Sequence, residues 1–132
     1  MLAWLLGEST GEFTRNALAT AEAVTASDLT LVECDRALIR GLATGDVTPP
    51  EAARARQALN RAAAHWHLIR IGGEVIERAR RPFPAEPLRA LEAIHLASAL
   101  ITAAAVPDLT LLSFDRRIRQ AARHLGLSLA PA

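Results

Sequence analysis

The segment from Pro87 to about Ala104 reads as one helix that is apolar on nearly every turn, with Leu91, Ala93, Ile94 and Leu96 covering much of its circumference. A helix with apolar groups on nearly all sides belongs in the interior of a packed domain. After Pro107, "DLTLLSF" has the continuous apolar character of a buried strand, and Asp115 stands at its carboxyl end. The same helix nonetheless carries Glu92 and His95 three positions apart. A carboxylate there needs a physical reason.

Upstream, "GEFTRNALATAEA" places Phe13, Ala17 and Leu18 on one side of a helix, and "AVTAS" reads as a short strand. Ser27 or Asp28 can cap a helix running to about Thr44, where the glycines of "GLATGD" supply stop signals. Thr48, Pro49, Pro50 and Glu51 have capping-box spacing with proline in the first turn, which predicts a helix over about 49–65. "HLIRI" reads as a strand, 73–80 as a short helix, and "RPFPAEP", with three prolines, as an extended loop. Pro87 can open the apolar helix, "RRIRQAARHL" forms a basic helix up to Gly126, and "LSLA" is a last strand.

Helices alternating with short apolar strands imply parallel βαβ units and an α/β fold, a three-layer α/β/α sandwich with a mostly parallel central sheet. Its length of 132 residues suits a single domain over 1–132. Ligands of such open sheets collect at the carboxyl ends of the strands, which is where Asp115 falls.

All fifteen basic residues are Arg, which excludes Schiff-base chemistry, a Walker-type phosphate loop and a lysine general base. The net charge is only +1, so any nucleic-acid site must be local. The lone cysteine, Cys34, can form neither an internal disulfide nor a cysteine-based zinc site and fits a reducing compartment. "MLAWLL" is short and lacks the basic start of a signal peptide, and the longest apolar helix is interrupted by Glu92 and His95. A cytoplasmic protein with no membrane partner is expected.

Glu33 in "TLVECDRAL", Glu92 and Asp115 are acids from three distant segments at helix starts or strand ends. Converging carboxylates repel one another unless a divalent cation neutralises them, and oxygen-rich sites suit Mg²⁺ or Mn²⁺. Such a cluster can activate water and hold a scissile phosphate. Each acid also has a plainer role: Glu33 paired with Arg36 on a solvated face, Glu92 paired with Arg89 at an edge, and Asp115 as the N-cap of the basic helix. Arg116, Arg117 and Arg119, with Arg80 and Arg81 before the proline loop, can contact phosphates or simply cover a helix surface. His65 and His67 as metal ligands, and His95 as a catalyst, are weighed against a helix–strand junction and a core histidine.

Taken in order, "LTLVECDRALIRG", "PLRALEAIHLASAL" and "LTLLSFDRRIRQAARHLGL" resemble the PIN-domain family, specifically the VapC-type toxins of bacterial toxin–antitoxin pairs, over nearly the whole chain. The resemblance implies that Glu33, Glu92 and Asp115 bind Mg²⁺ or Mn²⁺ and position water to hydrolyse RNA, with Ser113 supporting Asp115. It also implies a cognate antitoxin that blocks the site and a homodimer. Arg116, Arg117 and Arg119 are then the arginine-lined approach for RNA.

Two departures accompany the resemblance. Position 92 is Glu where family members usually carry Asp, which lengthens the arm by a methylene. "MLAWLLGES" matches what usually follows the family's first strand and first acid, so that strand is expected to be missing from this chain. Glu8 is an alternative first acid, although its spacing to Glu33 is short for the family pattern. The alternative function is a catalytically impaired PIN-like module that binds an antitoxin or a second copy of itself.

Overall fold

The computed structural model describes residues 10–132, so the apolar fragment 2–6 and Glu8 lie outside the described residues. The described chain holds six helices and four short strands, and it divides into two compact units, one ending at Ile69 and the other spanning Arg70–Ala132. Helices alternate with strands and both strand pairings are parallel, as the sequence implies for an α/β fold.

In the first unit α1 spans Gly11–Thr20, β1 Thr25–Ser27, α2 Leu29–Thr44, α3 Pro49–Ala63 and β2 His67–Ile69. β1 pairs with β2 in the register Thr25↔His67, Ala26↔Leu68, Ser27↔Ile69. Of the two expected caps for α2, the Ser27 hydroxyl does the work, accepting the Leu29 N–H at 3.2 Å, while Asp28 makes no side-chain cap. α2 stops where Gly45 adopts φ 79°, a left-handed conformation that glycine enters without steric cost. At α3 both halves of the capping box close: Thr48 Oγ1 accepts the Glu51 N–H at 3.3 Å and Glu51 Oε2 accepts the Thr48 N–H at 2.8 Å. α2 packs on α3 with Cys34, Leu38, Ala52, Ala55 and Leu59 buried. Full burial of each leucine contributes roughly 1.5–3 kcal/mol.

The second unit contains α4, Gly73–Ala79, α5, Ala90–Ala105, β3, Thr110–Leu112, α6, Arg116–His124, and β4, Ser128–Ala130. β3 and β4 pair as Thr110↔Ser128, Leu111↔Leu129, Leu112↔Ala130. α5 is the central helix, with Leu96 and Ala97 fully shielded from solvent. Its buried hydroxyls are satisfied inside the helix, Ser98 Oγ donating to Ile94 O and Thr102 Oγ1 to Ser98 O.

α5 starts three residues later than Pro87 allows. Glu86 accepts the Phe83 and Leu88 N–H groups at 2.9 and 2.7 Å and so holds 83–88 as a loop. Phe83 anchors that loop, buried beneath the Arg78 guanidinium at 4.0 Å from the ring centre. α6 ends in a Schellman motif: Leu127 N–H reaches Ala122 O, Gly126 N–H reaches Arg123 O, and Gly126 takes φ 74°. Among the described residues no helix is long and apolar enough to cross a membrane.

Candidate functional site

The site grows from the carboxyl end of β3. Ser113 N–H extends the strand pairing to Ala130 O at 3.2 Å, and Ser113 Oγ accepts the Asp115 N–H at 3.2 Å. That short turn carries the chain from strand to helix. Asp115 Oδ1 then accepts the Arg117 and Ile118 N–H groups, both at 2.9 Å, and so caps α6. The capping geometry fixes the carboxylate and leaves Oδ2 outside the cap.

Glu92 occupies the first turn of α5 and reaches back to accept the Arg89 main-chain N–H at 2.8 Å. The plainer role expected for it, a pair with Arg89, therefore exists through the main chain. Its other oxygen, Oε1, lies 3.8 Å from Arg117 Nη1, and the side chain is only 14% exposed. Arg117 thus engages both acids, Asp115 through its main chain and Glu92 through its guanidinium.

Arg89, Glu92, Phe114, Asp115, Arg116 and Arg117 together line an open depression of about 360 Å³. A lining of three arginines and two acids has the chemistry to take a phosphate with a counter-cation. Both acids offer hard oxygen ligands, and Mg²⁺ is commonly held by one or two carboxylates plus substrate phosphates, so the donor chemistry fits such an ion. Among the described residues no group of three or more His, Cys, Asp or Glu side chains is gathered that could hold a metal by itself.

The remaining sequence candidates have other placements. Glu33 is half-buried on α2, between exposed Val32 and buried Cys34. Arg119 is half-buried and its guanidinium is engaged by main chain: Nη1 donates to Ser113 O at 2.8 Å and Ala130 O at 3.3 Å, and Nη2 to Pro131 O at 2.7 Å. It clamps the ends of β3 and β4. Arg80 pairs with Glu77 at 2.9 Å on an exposed surface. His65 and His67 are exposed and His95 is half-buried. Burial pushes the Cys34 thiol up to about 11, with neighbouring Glu33 and Asp35 adding to the shift.

Two features of the site are absent from the sequence reading. Phe114, counted there within a buried-type strand, lies beyond the end of β3 and is 38% exposed. Ser113 interrupting the apolar run just before it was the available signal. The Arg119 clamp left no local signal, because its acceptors are main-chain carbonyls up to twelve residues away.

Alternating helices and parallel strands, with an acid delivered at a strand's carboxyl end, define an α/β protein of the open-sheet class. A PIN domain is matched over residues 1–124, and the chain belongs to the PIN-domain family. It is also 42% identical over 80 residues to Ribonuclease VapC46 of Mycobacterium tuberculosis, a match covering 59% of this chain. The chain spans 58% of that relative's length. Both comparisons agree with the resemblance read from the three sequence segments.

Proposed function

We propose that this chain is a divalent-metal-dependent endoribonuclease of the toxin type, acting in the cytoplasm and held in check by a cognate antitoxin protein. The observation that carries the reading is the sharing of one depression by Glu92, Asp115 and three arginines in a chain of the PIN-domain family. The similarity to a protein named a ribonuclease supports RNA as the substrate.

In this reading Glu92 and Asp115 hold Mg²⁺ or Mn²⁺, and Glu33 is the third ligand, carried by family resemblance. When bound, the ion supplies charge neutralisation at the phosphate and a more acidic water. Ser113 and the α6 N-terminus keep the Asp115 carboxylate in one orientation before any ligand arrives. Arg89, Arg116 and Arg117 attract and orient the RNA phosphates, and Arg117 also lowers the repulsion between Glu92 and an incoming phosphate. A homodimer belongs to the same reading, by family resemblance.

The test is cleavage of RNA by purified chain with Mg²⁺ or Mn²⁺ against EDTA, beside thermal unfolding with and without the metal. Metal-dependent cleavage and a metal-dependent rise in Tm, both lost in Asp115→Asn, are the expected results. Equal cleavage by the variant overturns the assignment.

A second reading, a PIN-like module that binds its antitoxin or itself without cleaving RNA, is favoured by the commitment of an oxygen of each acid to a helix cap. Stoichiometric partner binding with no turnover and no metal response selects it.

A further inference from the structure

Between α4 and α5, prolines at 82, 84 and 87 remove three of the seven main-chain N–H groups over 82–88, so backbone pairing has little with which to hold the segment. A side chain holds it instead. Glu86 spends both carboxylate oxygens on this stretch, Oε1 accepting the Phe83 N–H at 2.9 Å and Oε2 the Leu88 N–H at 2.7 Å, although the residue is exposed. One end of that strut is fixed, because Phe83 is 5% exposed and lies beneath the Arg78 guanidinium. The other end reaches the candidate site. The next main-chain N–H after Leu88 is that of Arg89, and Glu92 Oε2 accepts it at 2.8 Å. Two carboxylates thus take successive N–H groups, one from the loop side and one from the helix side. Arg89 is extended there, with φ −79° and ψ 163°, and lines the depression together with Glu92.

We propose that Glu86 is a positioning residue for Glu92: by fixing the chain that leads into Arg89, it holds the Arg89 N–H in place for Glu92 Oε2 and keeps the other Glu92 oxygen beside Arg117. Removing a group that orients a metal ligand weakens the metal. The consequence for a bound ion rests on the metal-dependent ribonuclease reading, but the coupling of Glu86 to Glu92 is testable in metal-free protein. Glu86 itself contacts neither ion nor RNA in this role.

The test uses the full chain, first without metal, with backbone amide exchange measured by NMR in wild type, Glu86→Ala and Glu86→Gln. Both variants lose the charge, and only Gln keeps an oxygen that can accept an N–H. Glu86→Ala is expected to exchange about tenfold faster at Phe83, at Leu88 and also at Arg89, the change equivalent to the net contribution of one hydrogen bond. The Ser98 and Thr102 amides in the interior of α5 are expected to stay as in wild type, and Glu86→Gln to lie between wild type and Glu86→Ala. Mn²⁺ alone is then titrated into each protein, with the free ion read by electron paramagnetic resonance. Glu86→Ala is expected to bind it about tenfold more weakly, and Glu86→Gln closer to wild type.

Faster exchange at Phe83 and Leu88 with Arg89 unchanged means that Glu86 holds the loop alone, and overturns the proposal. Equal loss of Mn²⁺ affinity in both variants that vanishes at high salt marks a long-range charge effect and overturns it too. Where Glu86→Ala also loses protection at Ser98 and Thr102, Glu86→Gln carries the comparison, and an unchanged Arg89 amide in that variant rejects the coupling. Faster Arg89 exchange with no Mn²⁺ binding by wild type removes the metal-dependent reading and leaves the positioning. Mn²⁺-dependent cleavage with an Arg89 amide indifferent to Glu86 does the reverse.

Discussion

Arg117 Nη1 stands 3.8 Å from Glu92 Oε1, linking the first turn of α6 to the first turn of α5. The arginine side chain is 47% exposed, so the pair contributes no more than about 1 kcal/mol to stability. Its consequence is local charge. Arg117→Met is expected to shift Tm little, to weaken RNA binding, and to reduce the slope of log affinity against log salt by about one. Relieved of its cation, Glu92 should hold a divalent ion more tightly, measured as a larger metal-induced rise in Tm. A smaller rise would show that Arg117 supports the metal site instead of competing with it.

Asp115 has two roles that substitution can separate. Asn caps a helix about as well as Asp, so Asp115→Asn should unfold at nearly the same urea concentration as wild type, while Asp115→Ala should lose about 1 kcal/mol. Both should lose metal-dependent RNA cleavage. Equal destabilisation by the two variants would rule out the Oδ1 cap as a stabilising contact.

Arg119 holds three main-chain carbonyls, so its removal should act on structure and not on phosphate binding. Arg119→Met removes the guanidinium donor from the part-buried Ser113 and Pro131 carbonyls, while Ala130 O keeps the Ser113 N–H, and should cost on the order of 1–3 kcal/mol. In protein that remains folded, the salt dependence of RNA binding should match wild type. A reduced slope would return Arg119 to the set of phosphate contacts.

The capping box at α3 makes a pH-dependent contribution. The hydrogen bonds from the Thr48 backbone and side chain region hold the Glu51 carboxyl below its ordinary range. Because the folded value is the lower one, the contribution is present above the unfolded value of about 4.3 and is lost as pH falls through the folded value. Thr48→Ala should cost about 1 kcal/mol at neutral pH. Stability curves below about pH 4.3 should show a weaker acid dependence in Glu51→Gln, which has no carboxyl to titrate, and curves parallel to wild type would remove Glu51 as a contributor.

Cys34 is buried and its thiol is pushed up to about 11 from an ordinary 9.0. The native protein should resist an aromatic disulfide reagent at neutral pH and react at the rate at which it unfolds. Since the folded value is the higher one, stability should be unaffected below the unfolded value and should fall as pH rises from there toward 11. Rapid stoichiometric labelling of folded protein at neutral pH would contradict the burial.

Most of the fold was legible in the sequence because its signals act over one helical turn. Thr48 with Glu51, the glycine at 45 and the Gly126 stop each act through bonds to residues within five positions, and each appears where the spacing places it. The late start of α5 was not legible. Pro87 is compatible with a helix start, and only the Glu86 carboxylate, bonded on both sides of itself, decides that the loop continues to Arg89.

By itself the sequence determined the order of helices and strands, the candidate acids and the position of Asp115 at a strand's carboxyl end, because hydrophobic period and capping chemistry are properties of neighbouring residues. Only the tertiary structure decided which arginine binds backbone and which faces the depression, that Glu92 shares Arg117 with Asp115, and that Phe114 leaves the core. These depend on residues brought together from α5, β3, α6 and β4, and an arginine is chemically the same residue whether its partner is a main-chain carbonyl or a carboxylate.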